Sequence, residues 1–68
     1  MTDFDKLTYE QQIAVRMAIA LARTSPGQHT VRISDGTDAH ASHDPIWGIR
    51  WAMNGTHCGQ CLARGIEK

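Results

Sequence analysis

The fold is decided by residues 8–34, TYEQQIAVRMAIALARTSPGQHTVRIS, in which a helical pattern gives way to an alternating one. Thr8 and Gln11 form a capping box, the arrangement that closes the first turn of many helices. Pro26 cannot continue a helix, and it pushes the residue before it out of the helical region. The sequence therefore predicts a helix over residues 8–23.

The predicted helix is apolar around more of its circumference than a single core-facing stripe requires. Either the rest of the domain wraps around it, or one flank packs on another chain. Pairing of two copies through a twofold axis would bury that flank, so we expect a homodimer through the helix of residues 8–23. The alternative is a monomer that keeps the flank for a different protein. The two apolar stripes are Ile13, Met17 and Leu21, and Val15, Ile19 and Ala22.

The residues that follow the helix alternate between apolar and polar side chains. Residues 29–34 place Val31 and Ile33 on one side, which is the period of a β-strand. The Asp-Gly pair at 35–36 favours a turn, and it opens a polar stretch. We therefore predict a short strand over 29–34 and a polar loop over 35–44.

Residues 45–53 are ambiguous between helix and strand. A helix interior is weakened by Gly48, whereas the alternating tryptophan and isoleucine residues favour a strand, which we prefer. The Asn-Gly pair at 54–55 then predicts a two-residue hairpin turn. That turn would bring Trp51 opposite Cys58.

The predicted elements combine into an α+β fold, in which an amphipathic N-terminal helix packs on a short antiparallel sheet of three strands. Residues 58–68 are expected to end the chain with a short helical turn. Trp47 and Trp51 project from one strand face, where core packing against the helix is the simpler interpretation and a binding surface the alternative.

Two pairs of metal-ligating residues share the same spacing, His40-x-x-His43 and Cys58-x-x-Cys61. Zinc favours tetrahedral nitrogen and sulfur coordination, so we predict one structural Zn²⁺ held by these four residues. His57 adjoins the first cysteine and is an alternative to one of the two histidines. A zinc-bound imidazole usually donates its other proton to an oxygen acceptor. The flanking candidates for that acceptor are Asp38 and Asp44.

Two alternatives to the zinc site remain. His40 and His43 can be ordinary loop histidines. Cys58 and Cys61 can be a redox pair, although such pairs usually belong to a larger α/β fold. If the zinc is structural, its binding energy is folding energy. Chelation, or replacement of both cysteines by serine, is then expected to unfold the chain.

Length and composition set the class of protein. The chain of 68 residues is expected to form one domain, 1–68, whose folding is marginal without a metal, a disulfide or a partner. No stretch resembles a signal peptide or approaches the ~20 apolar residues of a membrane span. We therefore expect a cytoplasmic protein with no membrane partner, in which cysteines stay reduced. The 7 basic and 7 acidic residues cancel, which argues against neutralisation of many phosphates.

Enzymatic activity is not expected. A zinc deaminase requires a glutamate two positions after its ligand histidine, and here Ser42 follows His40 and Pro45 follows His43 at that distance. A chain of this size also has little room for the shaped cavity that metal catalysis uses.

The function expected from these features is that of a structural-zinc interaction module, which regulates a larger protein complex by binding an unidentified protein partner. The cysteine spacing resembles that of zinc ribbons and treble-clef modules. A helix before a four-ligand set is also similar to the small secondary-channel regulators of bacterial RNA polymerase, whose four cysteines and longer helical arms differ from this chain. The alternative is a small nucleic-acid-binding zinc protein, which requires arginines gathered on one face. The candidates are Arg16, Arg23, Arg32, Arg50 and Arg64.

Overall fold

The computed structural model describes residues 3–55 and 61–67, which form a helix followed by a four-stranded antiparallel sheet. The α+β class is as predicted, with four strands in place of three. A short 3-10 helix, Asp3–Lys6, precedes these elements. Within the described residues, no helix combines the length and the apolar character of a membrane span. The elements are α1 (Tyr9–Thr24), β1 (Gln28–Arg32), β2 (Asp38–Asp44), β3 (Gly48–Asn54) and β4 (Cys61–Glu67).

The start of α1 is the predicted capping box. The Thr8 hydroxyl accepts a hydrogen bond from the Gln11 N–H at 3.2 Å, and the Gln11 side chain accepts one from the Thr8 N–H at 3.1 Å. These bonds satisfy N–H groups that lack partners within the helix. The helix ends where the Ser25 N–H donates to the Leu21 carbonyl and the backbone turns extended before Pro26.

The four strands follow one another in space in the order of the sequence, β1-β2-β3-β4. Helix α1 covers one face of β1, β2 and β3, while the 3-10 helix packs on β4. The interface between helix and sheet is built from small residues, which allow the backbones to approach closely. The alanines buried there are Ala14, Ala18 and Ala22 of α1 and Ala39 and Ala41 of β2.

The predicted polar loop over 35–44 is wrong from Asp38 onward, because Asp38–Asp44 is strand β2. The strand does alternate, with Ala39 and Ala41 buried under α1 and His40 on the opposite face. Alanine and aspartate are poor strand formers, so the alternation lacks the large β-branched residues that usually mark a strand. Pairing with β1 and β3 on both sides stabilises β2 instead.

The predicted two-residue hairpin turn after β3 is also wrong. Asn54 still belongs to β3, where it pairs with Asp38 and Cys61. The turn type expected from an Asn-Gly pair needs positive φ at both central residues, and Asn54 does not have it. Trp51 consequently faces Gly65, instead of the predicted Cys58, which lies outside the described residues.

The end of the chain forms strand β4 where a helical turn was predicted. The core-facing side chains of β4 are small, with Ala63 buried and Gly65 beneath the Trp51 indole, so no large apolar residue marks the buried side. The register shifts at the start of β4, where Leu62 is the extra residue of a β-bulge. Residues 61–67 therefore lack the alternation of large apolar and polar residues that predicts a strand.

The turn between β1 and β2 opens at the predicted Asp-Gly pair. The Asp35 carboxylate accepts hydrogen bonds from the N–H and the hydroxyl of Thr37, and a weaker one from the Gln11 amide at 3.4 Å. Gly36 has φ of 89°, which a glycine adopts without strain. The turn is thereby fastened to the start of α1.

Acid is expected to weaken this fastening. The hydrogen bonds from the Thr37 hydroxyl, and then from its N–H, lower the pKa of Asp35 below its usual value. A carboxyl group with a lowered folded pKa contributes stability above its unfolded pKa of ~3.9, and loses it as pH falls through the folded pKa. In the Asp35→Asn variant the amide oxygen keeps an acceptor but has no charge to titrate. Melting temperatures from about pH 2 to pH 7 should fall less on the acid side for this variant than for the native chain. An equal fall in melting temperature at acidic pH for both proteins would contradict this role of Asp35.

Candidate functional site

The structure places the two predicted histidine ligands on opposite faces of the sheet. They are three residues apart in β2, and side chains an odd number of residues apart point to opposite sides of a strand. His43 lies on the side of Ile49, which is buried, while the His40 ring lies across from Ala52. One ion cannot reach both imidazoles while β2 keeps this pleat.

The predicted cysteine ligands are only partly described. Cys61 is exposed at the start of β4, and its thiol is 3.5 Å from the Ala63 carbonyl oxygen. Cys58 lies outside residues 3–55 and 61–67, as does the alternative ligand His57. Among the described residues no three metal-ligating side chains come together. The zinc site of His40, His43, Cys58 and Cys61 stays a prediction.

The two aspartates expected to support the histidines have other partners. Asp38 accepts a hydrogen bond from the Arg32 guanidinium at 2.9 Å. Asp44 accepts hydrogen bonds from the N–H groups of Ile46 and Trp47, at 2.8 and 2.9 Å. The bond from Trp47, followed by that from Ile46, lowers the pKa of Asp44.

The turn held by Asp44 presents apolar side chains to solvent. Ile46 is 81% exposed and Trp47 is 56% exposed. Trp47 therefore lies before β3, and its predicted place in the core is wrong. Trp51 does pack in the core, where the Phe4 ring meets it edge-on at 5.9 Å between centroids.

Exposed apolar side chains lie along α1. Of the two predicted stripes, the one with Val15 and Ile19 is buried against the sheet, and the other faces solvent. Side chains four residues apart lie next to one another on a helix, so the exposed members form a continuous ridge. We call this ridge the outer stripe; it consists of Tyr9, Ile13, Met17 and Leu21, which are 78%, 39%, 52% and 44% exposed.

The arginines do not gather on one face. Arg32, Arg50 and Arg64 lie on the sheet face opposite α1, by their register and the alternation of the strands. Arg16 and Arg23 belong to α1, where Arg16 lies over the Phe4 ring at 5.4 Å. Three of these five arginines form ion pairs with carboxylates: Arg32 with Asp38, Arg50 with Asp44 and Arg23 with Glu67.

No family model, curated protein sequence or solved structure gives a significant match to this chain.

Proposed function

We propose that this chain is a small interaction module that binds a protein through the outer stripe of α1, and that acts as a regulator within a larger complex. The outer stripe is the observation that carries the proposal. Its four side chains are large and apolar, and each is at least 39% exposed. Contiguous apolar surface of this kind is typical of sites where proteins associate.

The fold itself does not require the outer stripe. The opposite side of α1 already packs on β1, β2 and β3 through its alanines and through Val15 and Ile19. Ordinary surface helices place polar side chains on the side away from the core. Ile13, Met17 and Leu21 occupy positions that polar residues would fill in a helix with no partner.

A second copy of the chain is the first partner to test. If two copies of α1 pack antiparallel around Met17, Ile13 of one copy lies across from Leu21 of the other. The helix ends then meet with opposite partial charges, and Glu10 of one copy approaches Arg23 of the other. Twofold contacts of this type are the commonest way in which soluble chains assemble.

The Met17→Lys variant tests this surface. Burying a lysine without a partner charge is costly, so we expect self-association to weaken by roughly tenfold or more. Sedimentation velocity at several micromolar concentrations measures the change. Ile66→Lys is a matched control, because Ile66 is 51% exposed, Met17 is 52% exposed, and Ile66 pairs with Arg50 on the sheet face opposite α1.

The oligomeric state tests the dimer, and affinity capture tests the outer stripe as an interaction site. A monomer mass without concentration dependence in the native chain would remove the dimer and leave a different protein as the partner. In that case affinity capture from native lysate should lose its bound proteins with Met17→Lys and keep them with Ile66→Lys. If all three chains capture the same proteins, the outer stripe is not an interaction site.

Nucleic-acid binding is the competing function. It is less favoured by the distribution of the arginines, since two lie on α1 and three lie on the far face of the sheet. Binding to an oligonucleotide that weakens steeply with rising salt would favour it.

A further inference from the structure

The sheet face opposite α1, which we call the open face, contains a groove of about 800 Å³. Helix α1 packs on the other face, and among the described residues outside the sheet Asp3 of the 3-10 helix lines the groove. The register aligns two rows of side chains across it, Gln28-Ser42-Arg50-Ile66 and Thr30-His40-Ala52-Arg64. All of these row residues except Thr30 line the groove.

Small side chains open the centre of the groove between two arginines. Arg50 pairs with Ile66 and the adjacent Ala52 pairs with Arg64, so the two arginines are diagonal neighbours on β3 and β4. Diagonal neighbours in an antiparallel pair have Cα atoms roughly 7–8 Å apart, which is within the combined reach of two guanidinium groups. Ser42 and Ala52 fill little of the space beside them.

The carboxylates near this groove are already engaged. Asp38, at one end of the open face, is 2.9 Å from Arg32, and Asp44, at the other end, accepts two backbone N–H groups. Asp3 also lines the groove and lies 3.7 Å from the Lys6 ammonium. Arg64 has no ion pair with any described residue.

Arg50 is only loosely held by its acidic neighbour. Its guanidinium is 3.9 Å from the Asp44 carboxylate, against 2.9 Å for the hydrogen-bonded pair of Arg32 and Asp38. Arg50 and Arg64 both line the groove, and neither guanidinium forms a hydrogen-bonded ion pair with a carboxylate of the described residues.

His40 adds an imidazole ring to the groove. Its Nδ1 atom lies 2.9 Å from the Thr30 hydroxyl oxygen, across the β1–β2 pair. When the hydroxyl donates to Nδ1, the neutral ring carries its proton on Nε2. That N–H then adds to the donors that the arginines, Ser42 and Gln28 supply.

We propose that this groove is a binding site for the phosphate group of a small phosphorylated molecule. The planar guanidinium fork matches two phosphate oxygens at once, and two such forks approach one group from adjacent strands. A phosphate alone fills a small part of about 800 Å³, so the rest of the groove accommodates the organic part of the ligand. This site is separate from the outer stripe, and its test does not depend on whether the outer stripe binds a protein.

Titration of the full chain with inorganic phosphate and with adenosine 5′-monophosphate tests the site, followed by amide chemical shifts in NMR spectra. The buffer is passed over a chelating resin, so that phosphate bound through a metal ion does not count. We expect saturable shifts centred on β3 and β4, with the monophosphate ester bound at least as tightly as phosphate. Arg64→Gln and Arg50→Gln should each weaken binding roughly tenfold or more, since hydrogen bonds to charged groups are lost.

Arg32→Gln is the matched control, because Arg32 lies on the same face but is held by Asp38. It should leave the affinity for both probes within about twofold of the native value. Circular dichroism of each variant checks that the sheet is intact. Equal weakening by all three arginine variants would show general charge attraction and overturn the proposal. Absence of saturable binding, or binding of an oligonucleotide alone, would overturn it as well.

Discussion

Replacing Met53 with alanine is expected to lower the free energy of unfolding by about 2–5 kcal/mol. Met53 is fully buried, and it is one of the two largest side chains with no exposure in the described residues. Its partners across the sheet are Ala39 and Ala63, which are too small to fill the space that the side chain leaves. The cavity therefore persists and adds to the lost transfer energy. Urea denaturation, followed by far-ultraviolet circular dichroism, measures the loss.

The same substitution at Met17 provides the control. Met17 is on the outer stripe and 52% exposed, so Met17→Ala should change the unfolding free energy of the monomer by no more than about 0.5 kcal/mol. The comparison is made at protein concentrations where sedimentation shows a monomer. Equal losses at both positions would mean that β3 does not lie under α1 as described.

The second large effect is expected from Gly65→Ala. A Cβ atom at this position would lie 2.7 Å from an indole carbon of Trp51, closer than real contacts allow. The Phe4 ring meets this indole edge-on, so the indole cannot move away freely from the new methyl group. Overpacking of this kind costs about 1–3 kcal/mol of unfolding free energy. Urea denaturation gives the value, and near-ultraviolet circular dichroism reports the displacement of the indole.

The Trp51→Phe background separates steric conflict from other effects of the new methyl group. A smaller ring leaves room for the Cβ atom, so Gly65→Ala should cost less there than in the native chain. The difference between the two costs is the interaction energy of a double-mutant cycle. A cost that is the same in both backgrounds would contradict the close contact between residues 51 and 65.

The parts of the fold that were predicted correctly are those with local causes. The capping pair at Thr8 and Gln11 and the proline at position 26 lie within a few residues of the helix ends that they determine. Strand β3 contains Ile49, Trp51 and Met53 in alternation with polar or small residues, and the preference for a strand over a helix at 45–53 is confirmed for residues 48–53. Strand β1 contains Val31, and the predicted strand over 29–34 is confirmed for residues 29–32.

Strands β2 and β4 could not be found in the same way, because their buried residues are alanine and glycine. Such residues have weak strand propensity, and their positions make sense only when α1 and the Trp51 indole are known to lie above them. The exposed apolar side of α1, in contrast, could be predicted in part. The sequence has two apolar stripes on this helix, which is more than one small sheet can cover, so one stripe was expected to stay exposed. Only the sheet decided that Ile13, Met17 and Leu21 form it.

The metal prediction depended on local structure that the sequence did not reveal. Two histidines three residues apart can aim at one ion from a turn, and the predicted loop over 35–44 provided one. In strand β2 the same spacing separates His40 from His43. The groove of the open face escaped detection for a related reason, because Arg50 and Arg64 become neighbours only through the register of β3 and β4.

The order of the strands has a consequence for how the chain acquires its structure. Each strand pairs with its neighbours in sequence, and the connections are short: 25–27, 33–37, 45–47 and 55–60. Little chain entropy is lost when such short loops close, so each hairpin can form beside the one already in place. Folding rates rise when contacting residues are near in sequence, and no crossover delays this sheet. During synthesis α1 can therefore form first, and the strands can then join the sheet one after another in the order in which they leave the ribosome.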